Sequence, residues 1–332
     1  MLKLSTKQAP LFEKEGRGGD LKTLAFFGND FCQISPNPSL LKRGIRSVQI
    51  KFIAVVLSLF FANPLFAKIA TLDWTVAETL IALGEKPIAV GNKQSYQVWV
   101  QQPSLPDTTY DLGVRLQPNL EQLLALKQQG EMVFINTSFY AQTTTNLNRF
   151  GTVEIVDFYQ AGNAWQNILT ATRQVAKHIG KPKQAEQLIN DFSQKIAEIQ
   201  PLVQPYQTRP IALVQFADSR HLRIYGKNSP FGEVLNQLGL MNAWQTEVNF
   251  WGFENIEITQ LAKLPKNSRL VVIKPYPANI ETALKHNTLW QQLPLAKDPL
   301  ILPAIWTFGG VPSAQRFAQS LADGLLNGGE QW

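Results

Sequence analysis

KPKQAEQLINDFSQKIAEIQPLVQP, Lys181 to Pro205, places apolar side chains at Ala185, Leu188, Ile189, Phe192, Ile196 and Ile199. Spacings of three and four put all six on one face of a helix of about twenty residues, roughly 30 Å long. Such a helix starts just after Pro182 and meets Pro201 and Pro205 at its far end, the punctuation expected of one that begins and stops sharply. Its flanks make this stretch decisive. Strand-like and helix-like segments alternate before it, and the alternation restarts after it.

Upstream, KIATL from Lys68 reads as a strand and WTVAETLIALG as a helix ending at Gly84. PIAVG, EMVFIN and VEIVDF read as further strands, NLEQLLALK as a helix, and Ala164 to Ile179 as another. Downstream, RPIALVQF, HLRIYG and RLVVIKP read as strands, and FGEVLNQLG, ITQLAKL and SAQRFAQSLADGLL as helices. This alternation predicts parallel or mostly parallel sheets covered by helices. The halves also echo each other: LEQLLALKQQGEMVFI resembles ITQLAKLPKNSRLVVI. The expected fold is α/β, with two Rossmann-like lobes over residues 68–182 and 205–328 joined by one long helix over 183–204. A ligand cleft is expected between the lobes.

Residues 1–67 have a different grammar. Lys42, Arg43, Arg46 and Lys51 precede the apolar run FIAVVLSLFFA and then NPLFA, ending at Ala67. A basic region, a short apolar region and a small terminal residue describe a secretory signal peptide cleaved after Ala67. The run is too short for a comfortable membrane span of ~20 apolar residues. Residues 1–41 show no packed-element pattern and read as lying upstream of the true translation start; no methionine lies between Met1 and Met132, so that start would use a non-AUG codon. Of 31 basic and 25 acidic residues, nine and four lie in 1–67, leaving 22 against 21 in the remainder. The net charge of +6 therefore belongs mostly to the leader, and no nucleic-acid-binding face is expected. The single cysteine, Cys32, also falls in the leader, so the mature chain has neither a disulfide nor a thiolate nucleophile.

Common catalytic signatures are missing. The sequence contains no phosphate-binding Gly-rich loop, no dinucleotide fingerprint and no Gly-x-Ser-x-Gly elbow. His178, His221 and His286 are far apart and lack paired ligand spacing, so each is expected on the solvated surface instead of on a metal. Glu254 and Glu257 are expected at a helix entrance, where acids meet the helix dipole favourably. These absences favour a binding protein over an enzyme.

Eight tryptophans are many for this length. Trp99 in SYQVWVQQP, Trp251 in VNFWGFENI and Trp306 in LPAIWTFGGVP fall on apparent loops in both halves. Each could be a packing residue, since indoles are largely buried on average; three on loops can instead face a ligand. Arg115 in DLGVRLQPNLE could form a local salt bridge with Asp111 or Glu121, or aim its planar fork at anionic oxygens.

From about Ile69 to Asn327 the chain resembles the periplasmic ferric hydroxamate-binding proteins of bacterial ABC importers. The resemblance is carried by LDWTVAETLIALG, YQVWVQQPSLPDTTYDLGVRLQPNLE, YGKNSPFGEVLNQLG, NAWQTEVNFWG and LPAIWTFGGVPSA. It implies an iron(III)-hydroxamate ligand and no cofactor: Arg115 and Tyr140 would bind the hydroxamate oxygens, and Trp99, Trp251 and Trp306 would pack on the siderophore body. Phe250 and Phe253 would then be packing partners that hold the loop, with Gly252 giving it room to turn. Glu233 matches an acid that docks the second lobe on the permease. At the first-lobe counterpart the chain reads AQTTTNLNRF, with Thr145 where an acid is expected.

The implied protein is a periplasmic monomer that delivers its cargo to an inner-membrane ABC permease with a cytoplasmic ATPase, with only small movements between its lobes. The same fold could take cobalamin, haem or a catecholate siderophore instead, and a periplasmic enzyme on this frame is a more distant alternative.

Overall fold

The computed structural model describes residues 68–332. The leader, its cleavage point and Cys32 lie outside the described residues.

The first lobe is built on five parallel strands: β1 (Lys68–Thr71), β2 (Ala89–Val90), β3 (Tyr110–Asp111), β4 (Met132–Asn136) and β5 (Thr152–Ile155), in the order β3-β2-β1-β4-β5. Each crossover runs through a helix or an irregular segment, as parallel pairing requires. The turn after β1 shows how the chain changes direction: the Asp73 carboxylate accepts from the amides of Thr75 and Val76 and caps the helix Trp74–Ala82.

A helix over Pro182–Val203 joins the lobes. It begins at Pro182 itself, where a missing amide proton costs nothing, and runs past Pro201 before tightening into a 3-10 turn at Gln204–Tyr206. Pro201 lacks the amide that would bond the carbonyl four residues earlier, and the helix ends two residues after it. Ala185, Ile189, Phe192, Ile196, Ile199 and Val203 are buried along one face. They join a core that draws Leu80 and Ile168 from the first lobe and Leu235 and Phe317 from the second.

The second lobe has β6 (Ile211–Phe216), β7 (His221–Tyr225), β8 (Phe253–Glu257), β9 (Arg269–Lys274) and β10 (Leu300–Ala304), in the order β10-β9-β6-β7-β8. Pairs β6/β9 and β9/β10 are parallel, while β6/β7 and β7/β8 are antiparallel. The architecture is the two-lobed α/β fold expected.

Several local expectations need correction. Trp99 is not on a loop: it closes the helix Lys93–Trp99, which Asn92 caps from a left-handed conformation. Glu254 lies within β8, so only Glu257 stands at the entrance of the next element. ITQLAKL forms a 3-10 segment, Ile258–Lys263, instead of an α-helix. Strands β3, β8 and β10 escape a periodicity reading: β3 has two residues, β8 follows directly on the aromatic loop, and Pro303 interrupts β10.

Candidate functional site

Between the lobes lies a cavity of about 1030 Å³ at the carboxyl ends of the first-lobe strands, and Arg115, Tyr140, Trp99, Trp251 and Trp306 all line it. Two of these are fastened together. Arg115 stacks on the Trp74 indole with Cζ 3.9 Å from the ring centroid, and its Nη1 donates to the Tyr140 hydroxyl at 2.9 Å. Trp74 is held in turn, its Nε1 donating to the Gly91 carbonyl at 2.8 Å. Gly91 must lack a side chain, because a Cβ there would stand 2.8 Å from Arg115 Cγ. Among the described residues Arg115 forms no ion pair, so neither Asp111 nor Glu121 claims it.

Tyr140 follows β4 in a 3-10 turn, Ser138–Tyr140, whose start is fixed by Asp157 accepting from the Ser138 amide and hydroxyl. Its ring is 2% exposed. Burial raises the pKa of its hydroxyl, with Asp73 adding to the effect and Arg115 opposing it. The phenol therefore stays protonated and, while accepting from Arg115, keeps its own proton to donate.

The second lobe supplies rings. Trp251 stacks on Tyr159 of the first lobe, with centroids 5.5 Å apart and planes at 23°, and meets Phe139 edge-on at 6.1 Å. Trp306 lies edge-on to both Trp74 and Trp99, at 5.1 and 6.5 Å, and its Nε1 donates to Thr75 Oγ1 at 3.0 Å. Gly252 turns the chain with φ +85°, and a Cβ there would clash with Ser229 at 2.6 Å. Phe250 and Phe253 do more than hold this loop, because both line the cavity.

Sequence reasoning missed Phe139, Tyr159, Phe308 and Arg223, which also line the cleft. For the first three the available signal is adjacency to a residue already singled out or to a strand end. For Arg223 it is a charge at an alternating position between two apolar residues of β7. Glu233 lies elsewhere: it is half-buried in the first turn of the helix Pro230–Gln237, accepts from Gln237 at 3.0 Å, and borders a separate hollow of about 690 Å³. Thr145 is exposed on the helix Ala141–Leu147, which carries no acid. His178, His221 and His286 are all exposed, and among the described residues no cluster of His, Cys, Asp or Glu could hold a metal.

The family profile for periplasmic binding proteins matches residues 69–298. The chain belongs to the periplasmic binding protein family. Over 260 residues this family member is 29% identical to the iron(3+)-hydroxamate-binding protein FhuD of Escherichia coli K12, covering 78% of this chain and 86% of the relative. It superposes with a TM-score of 0.73 and 24% identity on the siderophore-binding protein FhuD of Vibrio cholerae solved with Fe3+-Desferal, covering 80% of this chain and all of that one. Unliganded FhuD2 of Staphylococcus aureus follows at a TM-score of 0.62 and 18% identity, covering 80% and 100%. Members of this family bind substrates, and the solved relatives share its two-lobed architecture.

Proposed function

We propose that this binding protein is exported to the periplasm, captures ferric hydroxamate siderophores between its lobes and delivers them to an ABC permease with its cytoplasmic ATPase, performing no chemistry on the cargo. The observation that carries this reading is the Arg115–Tyr140 pair at the base of an aromatic-walled cavity. A ferric ion wrapped by three hydroxamates is fully coordinated and electrically neutral at its core. It offers the protein oxygens and apolar surface instead of open metal positions. Two directed donors and several rings suit that ligand. The cavity lining carries two arginines and two aspartates, Asp73 and Asp157, and two cations are few for the strongly anionic iron complex of three catecholates.

Arg115 and Tyr140 are assigned to the hydroxamate oxygens, and Trp99, Trp251 and Trp306 to the siderophore body. Glu233 is assigned to the permease contact. Loops of the two lobes are already tied by Thr75 donating to the Phe308 carbonyl and Tyr159 to the Gly309 carbonyl, which supports small movements on binding. The test is a fluorescence titration of mature protein, beginning near Lys68, against ferric hydroxamates, ferric catecholates, cobalamin and haem. Saturable quenching by hydroxamates is expected because four tryptophans, Trp74, Trp99, Trp251 and Trp306, line the site. Tight binding of another cargo with indifference to hydroxamates would overturn the assignment.

A further inference from the structure

Leu222 and Ile224 point into the second-lobe core, while Arg223 and Tyr225 project from the other face of β7. Arg223 is half-buried and lines the ligand cavity. Its Cζ lies 5.1 Å from the Phe253 ring centroid and 5.3 Å from that of Phe308. Ring contacts hold a guanidinium while leaving its N–H edge free to donate.

No anion neutralises this cation among the described residues. Its cross-strand neighbours, Gln215 and Asn255, are uncharged. Gln215 is itself committed, donating to the Pro275 carbonyl and accepting from Tyr225 and Thr307. The Tyr225 hydroxyl stays neutral, since burial raises it to about 12 against the opposing effects of Thr307 and Arg223. The cavity's carboxylates are occupied within their own lobe: Asp73 by Thr75, Val76 and Thr137, and Asp157 by Ser138. A half-buried cation with no counter-ion in the cleft can gain a charge-assisted hydrogen bond to an anionic group that a ligand supplies. The neutral hydroxamate core cannot supply it, but a carboxylate on the siderophore's periphery can.

We propose that Arg223 is a specificity-determining residue that favours ferric hydroxamates bearing a peripheral carboxylate over those bearing a peripheral ammonium. Arg115 on the first lobe recognises the iron-bound oxygens common to all such ligands, and Arg223 on the second reads the charge of the appended group. The inference rests on the hydroxamate reading of the cleft.

A matched series tests it: ferric desferrioxamine B with its free ammonium, its neutral N-acetyl derivative and its N-succinyl derivative, which ends in a carboxylate. The iron core is the same in all three. Wild-type protein should bind the succinyl form about tenfold more tightly than the free amine, with the acetyl form between them. Arg223→Met should compress that spread to within about twofold, Arg223→Lys should keep part of it, and Arg115→Met should weaken all three by a similar factor. An absent spread in the wild type, or an unchanged spread in a folded Arg223→Met protein, overturns the role of Arg223 while leaving hydroxamate binding intact. Failure of all three to bind folded wild-type protein overturns the hydroxamate reading itself, and the role of Arg223 falls with it.

Discussion

The two lobes reach the same cleft by different means. In the first lobe every strand pair is parallel, so the cleft receives strand ends and helix beginnings, where Asp73 and Asn92 accept from backbone amides and Thr137 donates to the Asp73 carboxylate. In the second lobe β6, β7 and β8 form an antiparallel meander, so the strands themselves present Arg223 and Phe253 to the cavity. The first lobe therefore contributes a hydrogen-bonded polar unit with fixed direction, and the second contributes mostly rings, with Arg223 held among them and Trp306 fixed by its bond to Thr75. Under the proposed function, direction and shape would come from opposite sides of the cleft, which is useful only if the lobes keep a fixed relation.

Glu78 enforces that relation, and its loss should have the largest effect. From the first lobe it accepts from the Gly310 amide at 2.6 Å and from the Ser313 hydroxyl, at the start of the last helix of the second lobe. Glu78→Ala would strand both donors in a buried interface and should lower stability by roughly 3 kcal/mol in denaturant unfolding. Burial lifts this carboxyl from 4.5 to about 7, against the opposing pull of Ser313, Gly310 and Arg316. Between those values the folded protein holds a proton that the unfolded chain has released. Stability should therefore fall as pH rises from about 4.5 to about 7 and level off above, a span on the order of 3 kcal/mol. Glu78→Gln should remove this fall; an unchanged pH profile would show that other groups cause it.

Arg115→Ala comes next. The substitution removes the charge-assisted donor and empties the space over Trp74, and affinity for a ferric hydroxamate should drop by about 1.5–3 kcal/mol with little change in thermal stability. Unchanged affinity would leave the polar unit a packing feature of the first lobe and would dissolve the contrast between the lobes.

On the other side, Trp251→Ala removes a ring that touches Tyr159, Phe139, Phe250 and Phe308. A loss of about 1–2 kcal/mol in affinity is expected, with Trp251→Phe recovering part of it, because shape is the quantity supplied. Equal losses in Phe and Ala variants would point to the indole N–H and thus to a polar role for Trp251 itself.

The same contrast explains what the sequence disclosed. The helix Pro182–Val203 was legible because its apolar face is long and regular, and the paired lobes because strands and helices alternate around it. Trp99, Trp251 and Trp306 stood out as bulky residues in weakly periodic stretches, although the helix carrying Trp99 did not, since seven residues give too little pattern. Arg223 was hidden inside a good strand, where its direction depends on pairing with β6 and β8. Glu78 was hidden inside a good helix, where only the distant Gly310 and Ser313 reveal its work. Groups that act through partners far away in the chain leave little local signal.

The smallest effect is expected from Tyr140→Phe, and it tests whether the first lobe acts as one unit. The ring is buried and keeps its packing without the hydroxyl, so melting should hardly move. Affinity should fall by roughly 1 kcal/mol, because one donor to the ligand is lost and Arg115 loses the acceptor that fixes its Nη1. The informative measurement is the double-mutant cycle. If the hydroxyl both donates and positions Arg115, then Tyr140→Phe should matter less once Arg115 is already alanine, giving a coupling of at least about 0.5 kcal/mol. The corresponding cycle between Tyr140→Phe and Trp251→Ala should be near additive, since one side sets direction and the other shape. Additivity in the first cycle would separate Arg115 from Tyr140, whereas strong coupling in the second would mean that the ligand is held by a single network spanning both lobes.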